Sequence, residues 1–401
     1  MPDAIRQFCR PFEDLLVDGM ESDPRQGRIA RASVMRVWTW LESELLPDTL
    51  PDMKRRIDEH TLNGDRAALE TSVSVMHASA ASAIRAAVEE ARHDAGKRKQ
   101  AETLLGGERG FDDAREIGAV LTVAPAMIAL HTLLPKTIAD FDDAMTSAVK
   151  DLYEKTAETV PAEAIYIPFA AMSRLEDPSQ ILRLVRKIAH RRNDMVISRC
   201  DLAVFGEILL GELESIARAA DTLRPGHVDL DRLLADVRRF ARLSKGFTAE
   251  IDLHRNGEWG QRLLGARARL SAAISQQMSR FEAELVRALP FQQIGLYGRG
   301  GPMKPDISRE RMAACLRFVE GVTPICEPLG AHSHCHSVRQ QIETYLGAYE
   351  DRLLEEIRVA TGAARSHGEA FIDIAAAFRE ALAEEKQAQT LRRRGEVAAK
   401  V

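Results

Sequence analysis

The sequence predicts an all-α protein, built of long antiparallel helical hairpins in a bundle with a smaller C-terminal helical unit. Three observations carry that expectation. Apolar residues recur at helical steps over much of the chain. Capping residues and prolines punctuate those runs. Alternating stretches rich in Val, Ile and Thr are nearly absent, and Ile165-Tyr166-Ile167 is too short to build a sheet.

Taken in order, Asp23-Pro24 places a capping Asp before a Pro at the first helical position, opening a helix that runs through Leu45 and stops at Pro47. Asp65 opens an Ala-rich helix reaching about Arg92. Glycines at 106, 107 and 110 mark a soft break. Pro135-Lys136 starts a helix that runs through Thr159, before Pro161. Pro178 begins another, carrying Ile181, Leu184, Val185 and Ile188 on one face. Leu230, Leu233, Leu234, Val237, Phe240, Phe247 and Ile251 form a longer helical stripe. After the turn signal Arg255-Asn256-Gly257, a second stripe follows at Leu263, Leu270, Ile274, Met278, Phe281, Leu285 and Leu289. Leu263, Ile274 and Leu285 repeat at eleven residues, a period that keeps a helix nearly straight. The two stripes read as one long hairpin over 230–289. Ser337-Val-Arg-Gln340 has capping-box spacing and opens a helix to about Val359. The last helix covers Glu369 to Leu391, and the Arg392-Arg393-Arg394-Gly395 tail is expected to fray. The resulting division is an N-terminal helical region over 1–105, a central bundle over 110–289, a Gly/Pro-rich connection over 290–305 and a C-terminal unit over 306–401.

Composition narrows the classes of function. The chain has 401 residues, 45% hydrophobic and 29% charged, with 25 Gly and 16 Pro, which excludes disordered and collagen-like chains. Acidic residues (60) outnumber basic ones (55) for a net charge of −5, and the signs are interspersed, against nucleic acid as the main partner. Five cysteines, an odd number without framework spacing, point to a reducing cytoplasm. The opening Met-Pro-Asp-Ala-Ile-Arg has no apolar run of signal-peptide type. Residues 117–135 carry no formal charge. Pro125, His131 and the acidic flanks make that stretch a buried helix broken at the proline, and no transmembrane span is expected. Peripheral contact with lipid is the functional alternative for it.

Several side-chain groups were weighed for chemistry. His332-Ser-His334-Cys335-His336 is the densest set of metal-type donors, although its spacing fits no standard zinc pattern and it precedes the expected Ser337 cap. His93-Asp94 resembles the metal-binding pair of HD-domain phosphohydrolases. The resemblance implies an all-α metal site completed by His60 or His77 and one of Asp140, Asp142 or Asp143. The charged turn around His93 and Asp94, followed by Lys97-Arg98-Lys99, reads better as a solvated helix end. Asp112-Asp113-Ala-Arg-Glu116 and Asp140-Phe-Asp142-Asp143 resemble the aspartate-rich motifs of all-α prenyl-chain enzymes, which implies Mg²⁺-bound diphosphate. The plainer reading has Asp112 and Asp113 capping a helix. The glycines between Gly295 and Gly301 lack a phosphate-loop ending and read as a connection. The basic runs around Arg186 and Arg392 read as helix ends. Trp259, at the hairpin turn, staples two helices or anchors a partner.

The function expected from these readings is a non-catalytic, cytoplasmic helical interaction or scaffold protein without a cofactor, binding a protein partner or itself through the 230–289 face. A metal-dependent phosphohydrolase and a peripheral membrane or lipid-binding bundle are its rivals.

Overall fold

The structure, a computed structural model, describes residues 3–19, 26–223, 228–290 and 307–400. Almost all of them are helical. The only paired strands among them are Leu16–Val17 and Ile29–Ala30, two residues each and parallel. The all-α class follows. The chain divides into two compact units, Met1–Gly206 and Glu207–Val401. The expected Gly/Pro-rich connection over 290–305, including the glycines from 295 to 301, lies outside the described residues except for Pro290.

Unit 1 holds α1 (Asp3–Cys9), α2 (Arg31–Trp40), α3 (Leu50–Asn63), α4 (Arg66–His93), α5 (Ala95–Leu105), α6 (Glu108–Thr122), α7 (Ala124–Leu133), α8 (Asp143–Ala157), α9 (Tyr166–Ser173), α10 (Ile181–Ala189) and α11 (Asp194–Ile197). Its spine is α4 against α6. Asp65 caps α4 as expected, accepting a hydrogen bond from the Ala68 N–H at 3.1 Å. The two helices approach closely where Gly118 faces Ile84, leaving no room for a side chain on α6. Around them Phe8, Phe12 and Trp38 cluster edge to face.

One expected helix start lies elsewhere for a physical reason, and another falls outside the described residues. The Asp23-Pro24 start falls outside the described residues, and the helix there begins at Arg31. Pro135 opens no helix. Ile138 instead bridges Leu175 in an extended segment, and α8 starts after Asp142, whose carboxylate accepts from the Met145 N–H at 2.8 Å. Ile165-Tyr166-Ile167 is the start of buried α9.

The remaining helices are α12 (Ala203–Asp221), α13 (Leu230–Glu250), α14 (Glu258–Met278), α15 (Phe281–Ala288), α16 (Ile307–Val322), α17 (Cys326–Leu329), α18 (His332–Val359), α19 (Ala363–Ala381) and α20 (Glu385–Ala398). In unit 2, α13 packs chiefly on α16, and α14 on α17 and α18. The expected 230–289 hairpin is therefore not what organises the packing. The two helices meet through side chains, with Phe247 edge-on to Trp259 at 5.7 Å and Arg267 donating to Ser244 Oγ at 2.6 Å. The second stripe also breaks at Ser279-Arg280, between α14 and α15.

The C-terminal tail is helix rather than frayed chain. Ala388 and Leu391 are buried, Arg392 pairs with Glu380 at 2.5 Å and Arg394 with Asp351 at 3.1 Å. Buried Arg379 joins Glu350 and Glu384 at 2.7 Å each, tying α18, α19 and the start of α20 together.

Candidate functional site

One concavity of unit 1 is a groove of about 850 Å³ along α4, with apolar and polar side chains on its walls. Its α4 wall runs from Arg66 through Leu69, Val73, His77 and Ala81 to Arg85. Nineteen helical rises separate those ends, so the groove is about 28 Å long. Ser74, Ala78 and Ser82, all small, border it on the exposed side of the same helix and leave its mouth open.

The opposite wall comes from the uncharged stretch. Val123 separates α6 from α7, Pro125 stands in the first turn of α7, and the two helices bend by 75°. The bend carries Leu121, Ala124, Pro125 and Ile128 onto the groove. Among the described residues no single helix is long and apolar enough to cross a membrane.

His77 and Arg10 stand among the polar groups of the groove. His77 is 2% exposed, and its Nε2–H donates to the Gln7 carbonyl at 2.9 Å, since a carbonyl can only accept. Burial pushes its pKa down to about 4, with the Arg10 charge pulling the same way, so the ring is neutral at neutral pH. Arg66 is bonded to Glu70 at 3.1 Å, and Arg85 faces Glu163 at 3.5 Å and Thr122 Oγ1 at 3.4 Å. Arg10, half-buried, pairs with no acid among the described residues.

Arg85 also borders a second cavity of about 540 Å³, dense in charge. Asp113, 1% exposed, accepts from Ser33 Oγ at 2.6 Å and the Ala30 N–H at 3.3 Å, and pairs with Arg109 at 3.2 Å. Glu116 accepts from Tyr166 and from the Gly27 N–H at 3.2 Å. Burial raises the pKa of both carboxyls above the usual range. Asp112 pairs with Arg115 at 3.2 Å, and Glu89 with Arg92 at 3.0 Å. This cavity is a zipped network that ties the Ile29–Ala30 segment and α9 to α6. Asp112 and Asp113 are thus not helix caps: α6 begins at Glu108, one turn earlier, after Gly106 and Gly107 turn the chain with positive φ.

The other sequence candidates are dispersed. The His93 side chain is 78% exposed and bonds Glu89 one turn back at 3.2 Å. Asp94 caps α5, accepting from the Gly96 N–H at 2.8 Å and the Lys97 N–H at 3.1 Å. Asp142 is the α8 cap, and Asp140 and Asp143 lie near Arg183 and Lys187. His332, His334, Cys335 and His336 occupy the first turns of α18 rather than a loop before Ser337: the N-cap is Ala331, six residues earlier than the capping-box spacing indicates. His332 and His336 are exposed, with ring centroids 4.3 Å apart, while Cys335 turns inward beside Met278, and burial pushes its pKa up to about 12. Among the described residues no group of three His, Cys, Asp or Glu side chains could hold a metal ion. Trp259 is 1% exposed, and its indole N–H donates to Glu207 at 2.5 Å inside unit 2.

No family model, no curated protein and no solved structure matches the chain. Arg10 and the small residues Ser74, Ala78 and Ser82 were missed as site residues. The sequence carried no signal for them, since Ser74, Ala78 and Ser82 read as a solvated helix face and Arg10 as one arginine among many.

Proposed function

We propose that the chain is a non-catalytic binding protein whose first unit takes up a ligand with a single apolar chain. The shape of the groove supports this reading. The groove is long and open, about 850 Å³ over about 28 Å, and Leu69, Val73, Ala81, Leu121 and Ile128 are spread along it as an apolar track that one extended hydrocarbon chain can follow. The volume itself falls within the usual range for small-molecule sites, about 300–1,000 Å³.

This favours the lipid-binding alternative over a scaffold acting through 230–289, where the stripe is spent on packing inside unit 2. Among the described residues no assembled ligand set supports phosphohydrolase chemistry. The cytoplasmic setting expected from the cysteines, all five of them free thiols, belongs to the same proposal. A fluorescent probe bearing one sixteen-carbon chain tests it. Saturable binding at one probe per chain is expected, abolished by Ala78→Trp, which fills the groove from an exposed position without disturbing the core. Absence of saturable binding, or binding indifferent to Ala78→Trp, overturns the reading.

A further inference from the structure

We infer that the ligand is a long-chain carboxylate, taken up as a free monomer with its head group paired to Arg10; the inference rests on the chain-binding reading above. Three arginines line the groove, and two have nearby acids: Arg66 has Glu70 and Arg85 has Glu163. Arg10 makes no ion pair among the described residues, although Glu70 lines the same groove. Its neighbours on the wall are Gln7, already linked to His77 through its carbonyl, and His77 itself, which is uncharged. One guanidinium without an ion pair therefore stands on the wall of a groove whose buried residues include Val73, Ala81 and Leu121.

That arrangement selects the head group by charge. A guanidinium presents a planar fork that matches a carboxylate with two parallel hydrogen bonds, stronger than those to a neutral hydroxyl. One positive charge without an ion pair balances a monoanion and leaves a phosphate dianion half neutralised. It also falls short of a membrane-surface site, which draws on clusters of about four to eight basic residues. The half-burial of Arg10 strengthens the pair, because water screens it less than at an open surface.

The experiment is competition of hexadecanoate and hexadecan-1-ol against the sixteen-carbon probe. The acid is expected to displace the probe about tenfold more tightly than the alcohol, a difference of about 1.4 kcal/mol. Arg10→Gln brings the acid down to the level of the alcohol and leaves the alcohol unchanged, while Arg66→Gln keeps the preference. Equal displacement by acid and alcohol in the unaltered protein overturns the inference, as does a preference that survives Arg10→Gln. If the probe binds and the preference is missing, only the head-group assignment falls. If the probe does not bind, the chain-binding reading falls and takes the assignment with it. Arg10-dependent sedimentation with phosphatidylglycerol vesicles, in the absence of monomer binding, assigns the groove to a membrane surface and refutes the free-acid assignment. A doubling of mass in light scattering that Ala78→Trp abolishes assigns it to a second copy, with the same consequence.

Discussion

His77 makes unit 1 sensitive to mild acid, and the size of the effect follows from its burial. The ring is neutral in the folded protein, where burial moves its pKa from 6.5 to about 4. The unfolded chain binds a proton near the ordinary value, so between those two limits the unfolded state carries more protons than the native one. The slope of stability with pH is then positive, and stability present above about pH 6.5 is lost as pH falls towards 4. A shift of about 2.5 units at about 1.4 kcal/mol each gives an upper bound near 3.4 kcal/mol. Most of it is spent early: about 2 kcal/mol is gone by pH 5 and about 3 by pH 4. Other groups also contribute to the pH dependence, since Asp14 is held low by its hydrogen bonds to His131 and Arg174 while burial lifts Asp113 and Glu116. The His77 share is therefore read as a difference between the parent protein and His77→Gln, which retains a donor for the Gln7 carbonyl. Urea unfolding at pH 7, 6 and 5, in a Trp259→Phe background, leaves Trp38 and Trp40 to report on unit 1. The parent is expected to lose about 2 kcal/mol more than His77→Gln between pH 7 and 5. Parallel losses in the two proteins refute a buried neutral His77.

Two further substitutions separate structural from solvated groups. Asp113→Ala strips the acceptor from Ser33, Ala30 and Arg109 and is expected to cost about 2–4 kcal/mol in urea unfolding, whereas Asp112→Ala, which loses only a surface pair, stays within about 0.5. Equal costs would show that Asp113 is not a structural tie. Gly118→Val places a Cβ 2.8 Å from Ile84 Cγ2 at the α4–α6 contact, so a loss of about 1–3 kcal/mol is expected, and an unchanged urea midpoint would mean that the helices separate freely there.

Helix positions were legible wherever a local device fixed them. Asp65 before α4 is read directly, because a short acceptor followed by an apolar period has one common structural use. Local devices misled where two competed. Ser337-x-x-Gln340 has the spacing of a capping box, yet buried Cys335 and Val338 extend the apolar face of α18 and hold the earlier turn in helix. Pro135 reads as a helix start, but the Ile138–Leu175 bridge commits the following residues to extended backbone. In each case the deciding contact lies far away in sequence or on the buried side.

The groove was half legible for a deeper reason. Its apolar wall announced itself as an uncharged stretch broken by Pro125, and the same residues satisfied two readings, a membrane segment and a buried helix. Burial in the structure is partial: Leu121 and Ala124 are covered, while Pro125 and Thr132 stay exposed. The other wall was silent, because Ser74, Ala78 and Ser82 look like any solvated face of a helix. Small residues create a concavity only when larger neighbours stand across from them, and the 75° bend that brings α7 there is a tertiary fact. Arg10 was hidden by the same logic. Among the three arginines that line the groove it is the one without an ion pair, and that can be recognised only once the surrounding helices are in place.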